Sequence, residues 1–178
     1  MKKLFYLNPE NMTMGEIKPS SCLPIDRNTR RLIEINLKNL FNCRILATNF
    51  KDKYFNVVAD TIAMDKNKQV ILVGFKDGTR DKDFLEKYYN QYLQLKENEI
   101  YFTNYCESHK VKGITIENAP IIIVSSFFSE RDKFNAIEFA KEHDNPILFY
   151  EWFYVKELVS FEKVFDTRQL NKTKNSVN

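Results

Sequence analysis

Asp60 and Lys76 stand at the two ends of the segment DTIAMDKNKQVILVGFK, residues 60–76. Side chains alternate along a strand, so the two can meet across a hairpin of this length. An aspartate inside VVADTIAM, apolar on both sides, is out of place in a buried strand unless something pairs with it. Lys76 is a natural partner. Two chemistries follow from such a pair. One is an ion pair, or a solvent-facing acid, at the rim of a sheet. The other uses the carboxylate to hold a hard divalent cation against a phosphate, with the lysine stabilising charge on the phosphoryl oxygens. A metal site would gain from a further carboxylate beside these two, and Gly74, two residues before the lysine, offers no side chain.

Glu34 is a third candidate. It lies in DRNTRRLIEINLKNLFNC (26–43), where Ile33, Leu37, Leu40 and Phe41 make one apolar stripe at helical spacing, with Glu34 beside it. Asp26 or Asn28 can cap this helix. CRILATNF, YFNVVADTIAMD and QVILVGF then read as a three-strand meander, its second turn formed by DKNK. RDKDFLEKYYNQYLQLKEN (80–98) returns to helical spacing, with Phe84, Tyr88, Tyr92 and Leu95 as its buried stripe. APIIIVSSFF is a strand buried on both faces. SERDKFNAIEFAKEHD (129–144) is a helix capped by Ser129, its stripe beginning at Phe134 and Ile137. NPILFYEWFYV and LVSFEKVF are two further strands, and KLFYLN with MGEIKP forms an N-terminal hairpin. The expected organisation is one α/β domain over residues 1–165, with a mixed central sheet flanked by helices and a flexible polar tail at 166–178.

A helical glutamate, an aspartate on a meander, a lysine ending the next strand and a helix after it make a recognisable order. It resembles the PD-(D/E)XK (restriction-endonuclease-like) nuclease superfamily, whose core is helix, three-strand meander, helix, strand. The likeness is closest to a bacterial branch with roughly LIE-x-NL, R-I-D and I-I-E-x-K. The matching residues here are LIEINLKNLF (32–41), VAD (58–60) and LVGFK (72–76), and NCRILATNF and PIIIVSSFF also look like their counterparts. The resemblance runs from about residue 3 to 164; each motif is short, and its specificity lies in order and spacing.

The resemblance implies a restriction-endonuclease-like core and a phosphodiester-cleaving site. Asp60 and Glu34 would be the Mg²⁺ ligands, with Asp77 as a displaced third acid, and Lys76 the electrostatic residue. DNA is the implied partner, approached through Lys53, Arg80, Lys82 and Lys87. Three departures bear on this. Gly74 offers no ligand; Ala59 stands where the branch has a basic residue; and Lys87 aligns with a glutamine that faces the site, Gln91 being one turn away. One carboxylate fewer weakens Mg²⁺ binding, and an added lysine disfavours a cation but not a phosphate. The reading is therefore a degenerate nuclease relative, nucleic-acid-binding or regulatory, with Mg²⁺ only if the metal site is retained. The alternatives are an active Mg²⁺-dependent DNA endonuclease with a migrated carboxylate, and a protein–protein interaction domain on the same fold.

The bulk composition permits this without arguing for it. The 178 residues carry a net charge of +3 and are 43% hydrophobic, a folded chain with no marked basic excess. Cys22, Cys43 and Cys106 are odd in number and show no C-x-x-C spacing, which suits a reducing compartment better than zinc or disulfides. The apolar run after Met1 is too short for a secretory core, and no stretch spans a membrane, so a cytoplasmic protein is expected. His109 and His143 lack partners at ligand spacing, and Ser125 and Ser126 lack a His–acid pair. The aromatic residues of FYEWFY (149–154) are expected in the core, with Trp152 free to stack a base if it faces outward.

Overall fold

The computed structural model describes residues 4–8, 13–17, 27–52, 57–77, 81–155 and 158–169. Among them are six strands of one open mixed sheet, a separate strand pair and five helices. The separate pair is β1 (Leu4–Asn8) and β2 (Thr13–Ile17), antiparallel; residues 9–12 between them lie outside the described residues. The sheet runs β3 (Arg44–Asp52), β4 (Val57–Met64), β5 (Val70–Phe75), β6 (Ile121–Ser125), β7 (Ile147–Val155) and β8 (Leu158–Asp166), in that spatial order. Its first three strands are an antiparallel meander, β5, β6 and β7 are parallel, and β8 returns antiparallel. The DKNK turn closes on Asp65, whose carboxylate accepts from the N–H groups of Asn67 and Gln69.

The two parallel steps require crossovers, and helices supply them. Between β5 and β6 come α3 (Phe84–Glu97) and α4 (Glu99–Ser108); between β6 and β7 comes α5 (Glu130–His143). Helices α1 (Arg27–Ile35) and α2 (Leu37–Phe41) precede the sheet. The expected single helix over 26–43 is broken at Asn36, whose side-chain amide donates to the Leu32 carbonyl and competes with the helical ladder.

Alternation along the strands sends the core to both faces. Ala63, Ile71, Val73, Ile122, Val124 and Leu148 pack against Ile33 and Leu37 of α1 and α2. Ile62, Leu72, Ile121, Ile123 and Phe149 take the other face, against α3, α4 and α5. Central strands β5 and β6 are buried along their whole length, as parallel strands covered twice must be. The α3 stripe is as the spacing predicts: Phe84, Tyr88, Tyr92 and Leu95 are all buried.

Three details differ from expectation. Helix α4 was not foreseen, because its residues show weak periodicity and Ile100 is exposed. Phe134 is exposed, and the buried contact of α5 is Ala136. Asp166 and Thr167, placed by composition at the head of a polar tail, are buried: the Thr167 hydroxyl accepts from the Ile147 N–H, and Arg168 caps the Asp166 carboxylate.

Candidate functional site

Asp60 lies on β4 near the end of the meander, and continuing the Thr61–Val73 register puts it across from Gly74. Both positions face α3. What fills the gap above Gly74 is the ring of Tyr88, from the first turns of α3. A β-carbon built at Gly74 would stand 2.3 Å from Tyr88 Cζ, so no side chain fits there while Tyr88 keeps its place. The ring is fixed at its far end. Its hydroxyl accepts from the buried Phe75 N–H at 2.7 Å and lies 2.8 Å from the Phe75 carbonyl and 2.9 Å from Asp60 Oδ2, either of which can take its one proton. Burial, and next the Asp60 carboxylate, push the phenol far above its ordinary range, so Tyr88 meets Asp60 as a neutral donor.

The other atoms around Asp60 are cationic or donating. Lys87 Nζ lies 3.4 Å from Asp60 Oδ2 and also donates to the Tyr88 hydroxyl at 3.2 Å. Arg30 Nη1 approaches the same Oδ2 to 3.8 Å. The Asp60 N–H donates to Gln91 Oε1 at 3.1 Å, so both helix residues weighed against the family's glutamine reach this aspartate.

Glu34 comes to the cluster from the opposite face of the sheet. It is buried although carboxylic, and its Oε1 accepts from the fully buried Thr61 hydroxyl at 2.6 Å and from Arg30 Nε at 3.1 Å. Arg30 is therefore shared between the two carboxylates. Its guanidinium stacks over the Phe75 ring, 4.9 Å from the centroid, and its Nη2 is buried with no hydrogen-bond partner among the described residues.

Lys76 does not take part. Its expected pairing with Asp60 is replaced by one with Asp132, 3.3 Å away on α5. The amine is buried between the Phe84 and Phe128 rings, 5.4 and 5.5 Å from their centroids. Asp132 is the N3 residue of a capping box: its carboxylate accepts from the Ser129 N–H and hydroxyl, both at 2.7 Å, and Ser129 Oγ accepts from the Asp132 N–H. The alternation of β5 sends Lys76 to the α5 side, and the capping carboxylate is what it finds there. Ser125 is buried and donates to the Lys76 carbonyl.

A divalent ion of the Mg²⁺ type needs several oxygens at about 2.0–2.1 Å in near-octahedral array. Here two carboxylates arrive from two faces, each already holding protein donors, with a guanidinium between them and an ammonium on one. Gly74, where the resemblance would put a third ligand, has no side chain and is roofed by a tyrosine. As arranged, these residues do not fit such an ion. Asp77 is exposed just beyond Lys76, and no contact joins it to Asp60 among the described residues.

Of the residues expected along a nucleic-acid path, Lys53 and Arg80 lie outside the described residues, Lys82 is exposed, and Lys87 is half-exposed at the Asp60 carboxylate. A groove of about 790 Å³ opens between α1 and β3, bounded by Arg27, Arg30, Arg31, Glu34, Thr48 and Asn49 among others. Trp152 is buried rather than outward. His109 bonds the Tyr105 carbonyl at the end of α4, and His143 packs on Tyr89 and Phe139.

The partnerships of four members of these clusters were not foreseen from the sequence. Arg30 carried a signal, four residues before Glu34 on one helix, and so did Asp132, three after the capping serine. Tyr88 was legible as core but its hydroxyl was not, and nothing local pointed to Thr61. No helix among the described residues is long and apolar enough to cross a membrane. No family model matches the chain, and neither a curated protein nor a solved structure matches it.

Proposed function

We propose that this chain is a PD-(D/E)XK-like domain whose former metal site has been closed by its own side chains, and that it binds nucleic acid without cleaving it. The observation that carries this reading is Tyr88. Its ring fills the volume above Gly74, and its neutral hydroxyl sits on Asp60. The order of helix, antiparallel meander, helix and parallel strand supports this reading, as does the sequence order of Glu34, Asp60 and Lys76 along it.

For the ligand, the support is electrostatic. Arg27, Arg30 and Arg31 line a groove in which Glu34 is the one acid among the described boundary residues, and that acid is already held by Arg30 and Thr61. Lys87 adds charge on the far side of Asp60. Such a surface attracts phosphodiesters and repels the cation needed to cut them.

Labelled single-stranded and duplex oligonucleotides, titrated at increasing salt, test the binding; plasmid and linear DNA incubated with Mg²⁺ or Mn²⁺ test the cleavage. Affinity that falls steeply with salt, and that drops on Arg31→Glu, with intact DNA throughout, is the expected outcome. Cleavage abolished by Asp60→Ala would overturn the loss of catalysis, and absence of binding at low salt would overturn the nucleic-acid reading.

A further inference from the structure

We propose that Arg30 is the resident cation of the Glu34–Asp60 cluster: its guanidinium does for the two carboxylates what a divalent metal ion would do, and fastens α1 to β4 as it does so. The inference goes beyond nucleic-acid binding and does not depend on it.

The geometry has three parts. First, one guanidinium serves two acids on separate elements, through Nε to Glu34 at 3.1 Å and through Nη1 toward Asp60 at 3.8 Å. An i,i+4 pair alone would be an ordinary helix-surface contact; the reach to β4 is not. Second, the head group is held in place by stacking on Phe75, and its Nη2 is buried without an acceptor among the described residues. A buried donor left unpaired is costly, so the position is set by charge and packing rather than by completing hydrogen bonds. Third, the remaining coordination sites are occupied. Thr61 takes Glu34 at 2.6 Å, and Tyr88 and Lys87 take Asp60 at 2.9 and 3.4 Å.

A guanidinium keeps its charge at every pH a cell reaches. The cluster is thus compensated permanently, with no dependence on metal supply. Removing Arg30 leaves Asp60 with half-exposed Lys87 and takes away the ion-pair partner that Glu34 has among the described residues. A small dication is the simplest group that could restore the balance.

Thermal melting of three proteins with and without millimolar Mn²⁺, at matched ionic strength, tests this: the parent chain, Arg30→Gln, and Arg30→Gln/Asp60→Asn. Arg30→Gln is expected to melt below the parent and to regain several degrees with Mn²⁺, while the parent and the double variant stay unmoved. A Mn²⁺ shift in the parent that Asp60→Asn abolishes would overturn the proposal, since the site would then accept metal with Arg30 in place. So would a folded Arg30→Gln that ignores Mn²⁺. If Arg30→Gln does not fold in metal-free buffer, refolding with Mn²⁺ decides: recovery supports the proposal and failure to recover overturns it. DNA binding or its absence in the parent leaves all of these readouts unchanged.

Discussion

The ring of Tyr88 occupies the space that a side chain at Gly74 would need. The glycine and the tyrosine are one feature: β5 has no side chain at this position, α3 sends a phenol into the gap, and the phenol hydrogen-bonds both the strand and Asp60. Restoring a carboxylate at position 74 is therefore not a single substitution. Gly74→Glu in the parent chain meets the Tyr88 ring before it meets any metal.

Gly74→Ala measures this directly. A clash with the far end of a side chain is mild when that side chain can swing away, but Tyr88 is fully buried and tied to the Phe75 backbone. The substitution is expected to cost roughly 1–3 kcal/mol or more, as overpacking does. Urea denaturation reads it. In a Tyr88→Ala background the added cost of Gly74→Ala falls toward zero, a sub-additivity that would be missing if the two residues were not in contact.

Tyr88→Phe keeps the ring and removes the hydroxyl. The buried Phe75 N–H then loses its 2.7 Å acceptor, and Asp60 loses a neutral donor. Leaving a buried N–H unpaired costs about 1–3 kcal/mol. A variant as stable as the parent in urea would show that water or the neighbouring backbone replaces the hydroxyl without loss.

At Lys76 the two partners are not equivalent. Lys76→Met replaces a buried ammonium by an apolar group of similar length between two phenylalanine rings, and is expected to change stability by about 1 kcal/mol or less, in either direction. Asp132→Ala leaves the ammonium buried and unpaired and also opens the α5 capping box, so a loss of roughly 3 kcal/mol or more is expected. Equal effects from both substitutions would contradict the buried pairing.

Asp166 sets an acid-side pH dependence. Burial alone would raise its pKa, but hydrogen bonds from Arg168 and Lys163 prevail and hold the carboxyl below its usual range. A depressed folded-state pKa means stability that is complete above the unfolded value of about 3.9, and that is lost as pH falls through the folded value. Asp166→Asn is expected to be less stable than the parent at neutral pH, with the difference shrinking below about pH 4. Melting curves across that range check it.

The strands and the two long helices were legible because their signals are local. Periodicity placed the stripe of α3, the capping serine Ser129 marked the start of α5, and continuous apolar runs marked the doubly covered strands. Helix α4 lacked such a signal, since Ile100 points to water while Phe102 and Cys106 carry its contacts. The candidate site was legible as residue types but not as partnerships. Asp60 and Lys76 looked like each other's partners because they share a hairpin. Their real partners lie 28 residues away for Tyr88 and 56 for Asp132. Those distances are closed by the crossover helices, which no local pattern around Asp60 or Lys76 encodes.

The reach of Arg30 from α1 to β4 also couples two parts of the chain in time. Lifting α1 from the sheet carries Arg30 and Glu34 away together, so the Arg30–Asp60 and Glu34–Thr61 contacts break in one step. Small, independent fraying of this helix is thereby suppressed. Its amide protons and those near Asp60 and Thr61 then exchange with solvent through a shared opening, so that helix and strand form one unit of local unfolding.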